Sequence, residues 1–370
     1  MKIMSKYLVV MLLAGLLLIP AYAHDDHNHE GDFVDQFSDS VTITEVDCTL
    51  ESGEESTCYQ IETIAFPDGI EIGPFCPETA DDDDAGIWVW DGEDPAPGLY
   101  QVTGAFFELL DSIGYDFVNA DGTINIADPG AGGGARANGG NTCLEATADE
   151  SVEITALIPM NPVMADRVTN LGTVALVGVA LDGVTIFADA PSVLNTGGLP
   201  ALDLCGGHID PGGFYHWHFH TTDIDNAYDE AELDLNCINV TQDAAGLFGY
   251  AYDGFPMYGS LSQDGTVPED LDECGGHFGI TAEYPDGIYH YHASTEAPNL
   301  PECLVGVQAV NNFSTTASTG IGANGGQGGG PGGEGGRPEG GPPGGGQGGR
   351  PEGGPPGGGE GAPPQDGQGG

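Results

Sequence analysis

The stretch FGYAYDGFPMYGSLS, residues 248–262, sets an Asp-Gly pair between two apolar runs. This is a hairpin signature, because Asp and Gly tolerate the positive φ angles that tight turns between paired strands need. An earlier stretch, VGVALDGVTIFADAP (177–191), aligns with it through G-x-A-x-D-G, placing Gly178 and Gly249, and Asp182 and Asp253, 71 residues apart. A second block follows each hairpin: ALDLCGGHIDPGGFYHWHFH (201–220) and DLDECGGHFGITAEYPDGIYHYH (270–292). His208 and His277 are 69 apart, and His216 and His290 are 74 apart. A near-constant offset over separate motifs reads as two copies of one supersecondary unit, packed with pseudo-two-fold symmetry.

The surrounding chain also reads as strand and turn. SVTITEVDC (40–48), ESVEITALIPM (150–160) and GTVALVGVAL (172–181) carry β-branched residues, often in alternation, bounded by Gly, Pro, Asn and Asp. One stretch, YQVTGAFFELLDSIGY (100–115), has helical period, with Phe106, Leu109, Leu110 and Ile113 on one face. The expected fold is mainly β, a β-rich α+β domain that is internally duplicated and stapled by disulfides.

Residues 1–23 read as an export signal: Lys2 and Lys6, an apolar run too short to span a bilayer, and Ala-Tyr-Ala before a cleavage point at Ala23. Residues 24–44 read as a mobile His/Asp-rich N-terminus, 45–150 as the N-terminal part of the globular region, and 151–313 as the duplicated domain, with copies at about 174–237 and 245–303. From Ser318 to Gly370 the chain is Gly, Pro, Gln and Glu, with a thirteen-residue interval between Arg337 and Arg350, and lacks the apolar residues for a core. The localisation expected is secreted: periplasmic, cell-surface or extracellular.

Charge narrows the partners. Without the signal, four arginines and no lysine face 58 Asp and Glu, a net charge of −54. Such a chain repels nucleic acid and anionic membrane and attracts cations. Eight cysteines, none in C-x-x-C spacing, point to up to four disulfides in an oxidising compartment. Each copy has one Cys before its His cluster and one after, so Cys205–Cys237 and Cys274–Cys303 are the favoured pairs, each contributing about 2–4 kcal/mol. Cys48–Cys58 and Cys76–Cys143 remain.

Seven of the ten histidines fall in the two repeated blocks. In an extended strand alternate side chains share a face, so His216, His218 and His220 oppose Tyr215, Trp217 and Phe219, and His290 and His292 oppose Tyr289 and Tyr291. The C-G-G-H turns add His208 and His277. Three His per copy match an open metal site with a position left for water or substrate. Neutral imidazole without thiolate suits copper or zinc. The competing reading is a structural network of hydrogen-bonded buried histidines. His24, His27 and His29, at the expected mature terminus, read as flexible polar chain with some capacity to chelate.

DFVNADGTINIAD (116–128) approaches a calcium loop, but Phe117 stands where the first acid belongs, so a simple Asp-Gly turn is the expectation and calcium is not. PGAGGGARANGG (129–140) lacks the ending of a phosphate-binding loop. No nucleophile motif occurs. Asp210 or Asp223 could serve as a general base, though nothing selects either.

The segments LFGYAYDGFPMYGSL, DLDECGGHFG and GIYHYHAS with the closing Cys303 resemble the YHYH domain of secreted and extracytoplasmic proteins. GPFCPET (73–79), AGIWVWDG (85–92) and GLYQVTGAFFELLDSIGYDF (98–117) are similar to the N-terminal part of longer members, so the resemblance covers about residues 45–313. The first copy departs from the pattern, with VTIFAD in place of the Pro-x-Tyr-Gly part and Trp217 for the second Tyr. The resemblance implies no particular activity. The residues therefore point to a secreted metal-binding protein, with ligands His208, His216, His218, His277, His290 and His292 in one joint site or two. An extracellular metal-dependent hydrolase or oxidase is the runner-up, and a structural or adhesive module without metal the third reading. Protein partners and catalytic residues are not specified by the sequence.

Overall fold

A computed structural model of the chain describes residues 33–131, 140–172, 175–190, 192–238, 240 and 242–323. The expected export signal, the residues His24, His27 and His29, and the Gly/Pro tail beyond 323 lie outside the described residues. No helix among those described is long and apolar enough to cross a membrane.

The molecule is mainly β, as the alternating patterns require. Strands β1 (Thr42–Thr49) and β2 (Glu55–Thr63) form a hairpin. Then come the two-stranded β3 (Ile87–Trp90) and β4 (Gly98–Gln101), helix α1 (Gly104–Ser112), and the short β5 (Ile126–Ala127) and β6 (Thr142–Leu144). Strand β7 (Ile154–Pro159) returns to pair with β2, and β8 (Met164–Asn170) follows. The first hairpin block gives β9 (Leu176–Ala180) and β10 (Thr185–Phe187), then helix α2 (Val193–Thr196) and β11 (Gly198–Pro200). The first His block gives β12 (Gly207–Ile209), β13 (Tyr215–Trp217) and helix α3 (Thr221–Glu230). The second blocks give β14 (Leu247–Ala251), β15 (Pro256–Tyr258), β16 (Gly276–Gly279) and β17 (Ile288–His292), before β18 (Cys303–Gly306) and β19 (Phe313–Thr315).

Strands from both sequence blocks make one eight-stranded sheet in the order β12-β13-β10-β9-β14-β15-β17-β16. Each half has the same pairing: an antiparallel hairpin (β9-β10, β14-β15), a parallel crossover (β10-β13, β15-β17) and an antiparallel outer strand (β12, β16). The halves meet at β9 and β14, where Gly178 pairs with Ala251, Val179 with Tyr250 and Ala180 with Gly249. Both Asp-Gly hairpins form. Only the glycines, Gly183 and Gly254, take positive φ, at 89° each. Asp182 and Asp253 keep ordinary backbone and turn their carboxylates inward.

A four-stranded antiparallel sheet, β1-β2-β7-β19, joins the beginning and end of the described chain. Strand β2, from the N-terminal part of the globular region, pairs directly with β7 of the 151–313 segment, so the two parts share one sheet. The mobile N-terminal segment expected up to residue 44 is also packed from Phe33 onward. Phe33 stacks on Tyr59 at 3.9 Å and lies beside Tyr250, so two aromatic side chains anchor what its charged sequence suggested was free. The folded region likewise continues past Ser318, with Thr319 donating to the Pro211 carbonyl at 2.7 Å. Helix α1 begins at the Thr103 cap and buries Phe106, Phe107 and Leu110. Leu109 and Ile113, expected on that face, are exposed because Phe107 takes the inward position.

All eight cysteines are paired: Cys48–Cys58 across the first hairpin, Cys76–Cys143, Cys205–Cys237 and Cys274–Cys303. The last two clamp the two C-G-G-H turns.

Asp253 is fully buried and accepts from the Tyr291 hydroxyl at 2.6 Å and the Gly306 amide at 2.8 Å, while the Tyr291 oxygen accepts from the Val305 amide at 2.8 Å. Tyr291→Phe leaves the Val305 amide without an acceptor inside the core and takes one of two donors from Asp253 Oδ2, which keeps the Gly306 amide. It is expected to cost about 1–3 kcal/mol in urea unfolding, and an unchanged midpoint would contradict this account.

Candidate functional site

In β13 and β17 the side chains alternate as the sequence requires. Tyr215 and Trp217 on one side, and Tyr289 and Tyr291 on the other half, go into the core as edge-to-face pairs with centroids 5.0 and 5.3 Å apart. Each aromatic tip reaches an aspartate: Asp203 and Asp253 are buried, Asp182 half-buried and Asp272 exposed. Tyr215 donates to Asp203 at 2.7 Å and Trp217 to Asp182 at 3.0 Å. Tyr289 donates to Asp272 at 3.0 Å, and Tyr291 to Asp253. The hairpin aspartates thus serve both their turn and the aromatic face.

Asp203 and Asp272 escaped the sequence reading, although L-D-x-C-G-G-H recurs in full at residues 202–208 and 271–277. They accept the amides of Cys205 and Cys274, two residues on, and so shape the turn. The two glycines of each turn have different jobs. Gly206 and Gly275 take positive φ, at 85° and 76°. A Cβ on Gly207 or Gly276 would lie 2.3 Å from the tyrosine hydroxyl passing over it toward the aspartate.

This turn folds β12 against β13 so that His208 stands opposite His216, and β16 against β17 so that His277 stands opposite His290. His218 and His292 complete two separate triads, within each of which the potential ligand nitrogens lie within 4.8 Å of one another. The six histidines form two separate clusters rather than one joint cluster. Five strand spacings separate β13 from β17 in the sheet order, on the order of 24 Å.

The rings converge through their Nε2 atoms. In the first triad His216 and His218 approach to 3.0 Å and His218 and His208 to 3.2 Å; in the second His277 and His290 approach to 3.0 Å. Three nitrogens about 2.0–2.1 Å from a shared tetrahedral ion stand about 3.3 Å apart, so this spacing accommodates one. The far sides of the second triad are occupied. His277 Nδ1 meets Asp270 Oδ1 at 2.7 Å, His290 Nδ1 the Ile288 carbonyl at 3.1 Å, and His292 Nδ1 the Gly259 carbonyl at 2.8 Å. Each acceptor draws the ring proton to Nδ1 and leaves Nε2 with a bare lone pair. His292 Nε2 is buried with no hydrogen-bond partner. In the first triad the backbones of Ala201, Phe214 and Ala188 act on His208, His216 and His218 in the same sense. There the contacts to His216 and His218 are looser, and their Nδ1 atoms lack a hydrogen bond of full geometry.

Protonation does not fill the gap between the nitrogens. Burial lowers His208 and His292 to about 4 and pushes His216 and His218 well below the ordinary imidazole range, with His290 also lowered. These are neutral rings at neutral pH.

The two sites differ in their surroundings. Phe187 stacks on His216 at 4.1 Å in the first. Tyr258 holds the corresponding place in the second, edge-on to His290 at 5.1 Å. The Tyr258 hydroxyl donates to Glu283 and meets Thr281, each at 2.7 Å. Together with the second triad it lines a cavity of about 90 Å³, enough for several waters or a small ligand.

His220 does not join its neighbours. The strand ends at Trp217 and His220 becomes the cap of α3, with Nδ1 2.8 Å from Asp223. Asp223 accepts from both the amide and the hydroxyl of Ser260, tying the first half to the second. Asp210 accepts the Gly212 amide at 2.6 Å in the turn before β13, and burial lifts its carboxyl to about 7. Both aspartates considered as general bases are thus held by structural contacts. In the 116–128 loop, Asp121 accepts from the amide and hydroxyl of Thr123, a local turn.

Gly276→Ala is expected to displace the Tyr289 hydroxyl from Asp272 and destabilise the protein by roughly 1–3 kcal/mol, whereas Gly172→Ala, where a Cβ meets nothing within 4 Å and φ is not positive, lacks that clash. Equal denaturation midpoints for the two variants would refute the role given to the second glycine.

In comparison with known families, the chain matches the family described as YHYH protein over residues 155–268 and 263–306. No curated protein and no solved structure matches it.

Proposed function

Because residues 155–306 make this a YHYH-domain protein, we propose that the domain binds transition-metal ions, one per histidine triad, in a protein exported from the cytoplasm. The observation that carries the reading is the second triad: three Nε2 lone pairs face one another while every Nδ1 has an acceptor. Lone pairs brought this close repel unless a cation lies between them, and burial discourages protonation of His290 and His292. Copper or zinc suits three imidazoles in a chain whose cysteines all lie in disulfides. Four disulfides and the signal-like leader favour export. Matched pairing in the two halves of the sheet favours an ancestral duplication that made both sites together.

A second reading is favoured at one triad only. The second site alone has a phenol beside its ligands, facing a cavity, with Glu283 to take the phenol's proton. A metal-dependent hydrolase or oxidase of extracellular material would work there rather than at the first site. Substrate screening with and without added metal separates this from binding alone.

Elemental analysis of the purified protein should find two equivalents of copper or zinc. His218→Ala and His290→Ala should each remove one equivalent, and the double variant both. Protein that takes up neither metal, with thermal stability unmoved by added copper or zinc, would overturn the reading.

Proton competition supplies a further check. Protons compete with a metal for an exposed imidazole once pH falls below about 6.5. His208 and His292, lowered to about 4, stay unprotonated well below that point. The ion of the first triad, whose three ligands are all lowered by burial, should therefore remain bound on acidification past pH 6, as followed by dialysis and elemental analysis. Release centred near pH 6.5 would contradict burial of the ligands.

A further inference from the structure

The two triads differ in how they can be approached. The cavity of about 90 Å³ beside the second triad is lined by all three of its histidines, whereas the cavity of about 210 Å³ beside the first meets that triad through His218 alone. His290 and His292 are buried, but 16% of the His277 side chain stays exposed.

The approach to the second triad runs past Gly279. This residue lines the same cavity and follows His277 by two positions in β16, so the two share a face of the strand. A Cβ on Gly279 would lie 3.1 Å from His290 Cε1, 3.7 Å from His277 Nε2 and 3.9 Å from His290 Nε2. These are the ring ends that meet inside the triad. Gly279 does not take positive φ, so the backbone makes no demand for glycine there. The absent side chain instead leaves room beside two of the three converging nitrogens. At the matching position the first copy has Asp210, a residue with a side chain.

Chemistry restricts what can use that room. A tetrahedral ion held by three imidazoles keeps a fourth position, and neutral imidazoles leave its charge uncompensated within the ligand set. No Lys or Arg lines the cavity, so the ion would be the one positive group that draws a ligand in. A monoanion that carries its charge on the donor atom is satisfied by this single contact. A polyanion would bring further charge near Asp270 and Glu283 with no cation to meet it. The cavity volume, room for a few waters, favours a ligand of few atoms.

We infer that an ion in the second triad takes a small monoanion at an exchangeable position reached past Gly279, and that an ion in the first triad does not. This rests on the metal-binding reading and adds to it the class of ligand and the triad that admits it.

The test uses the full-length protein loaded with divalent copper, and azide as the probe. Single-site variants separate the triads, since His290→Ala keeps only the first ion and His218→Ala only the second. Azide titrated into copper-loaded His218→Ala should produce an azide-to-copper charge-transfer absorption, which copper-loaded His290→Ala should lack. Cyanate, another small monoanion, should displace the azide, and phosphate should not. Gly279→Ala should retain its copper by elemental analysis and weaken azide binding about tenfold. If Gly279→Ala loses the second ion, the two single-site variants supply the answer. Equal azide absorption in both single-site variants, none in His218→Ala that holds its copper, or displacement by phosphate as strong as by cyanate would overturn the inference and leave metal binding standing. Protein that takes up no copper overturns the metal reading itself, and the copper content of each sample tells the two failures apart.

Discussion

The structure depends on four hydrogen bonds from aromatic side chains to aspartates: Tyr215 to Asp203, Trp217 to Asp182, Tyr289 to Asp272 and Tyr291 to Asp253. A carboxylate buried in a protein interior costs several kcal/mol unless donors surround it. For Asp182, Asp203 and Asp253, which are withdrawn from solvent, the donors are turn amides on one side and an aromatic tip on the other; the exposed Asp272 makes the same contacts without that cost. Each strand is thereby fixed in register, for a slip of one residue would turn the aromatic residues out and strand the aspartates. The same slip would send the histidines into the core. One set of bonds therefore decides both how the sheet packs and where the imidazoles converge.

Holding the strands is only half of the arrangement. The C-G-G-H turns, clamped by Cys205–Cys237 and Cys274–Cys303, carry the third histidine across from the neighbouring strand. The groups facing the Nδ1 atoms follow the repeat as well. Phe214 and Ile288 are 74 residues apart, Ala188 and Gly259 71, and Ala201 and Asp270 69, the offsets of the motifs to which they belong. These partners come from backbone at five of the six positions, which is why composition gives no hint of them. A side chain replaces the backbone only at Asp270.

Much of this was legible in the sequence because it is local. The Asp-Gly hairpins, alternating His and aromatic residues, and one Cys on each side of each His cluster led to the correct strands, six clustered histidines and the pairings of the structure. What failed was long-range or depended on chain direction. His220 has the right spacing for the His face, but the strand stops at Trp217 and a helix begins, directing His220 to Asp223. Phe33 and Phe37 sit in a charged stretch, and only the fold brings Tyr59 and Tyr250 to meet them. Pairing of β2 with β7 links positions nearly a hundred residues apart and has no local signal. Asp203 and Asp272 were visible as a repeated letter, but their role required the path of Tyr215 and Tyr289 over a glycine.

The two triads share geometry but not electrostatics. Three neutral imidazoles contribute no charge, so a bound cation must be balanced from outside the ligand set. At the second triad Asp270 lies against His277, and Asp223 also acts on His292. The first triad has the Ala201 carbonyl where the second has Asp270, and Phe187 where the second has Tyr258. Its ligands are also the more deeply buried. A cation would therefore be better compensated at the second triad, whereas the first is packed against Phe187 on one side and borders a cavity of about 210 Å³ through His218. Equal ligand sets in unequal fields differ in affinity and exchange rate. The divergence of Ala201 from Asp270 and of Phe187 from Tyr258 is sufficient to give one fold two sites of unlike chemistry.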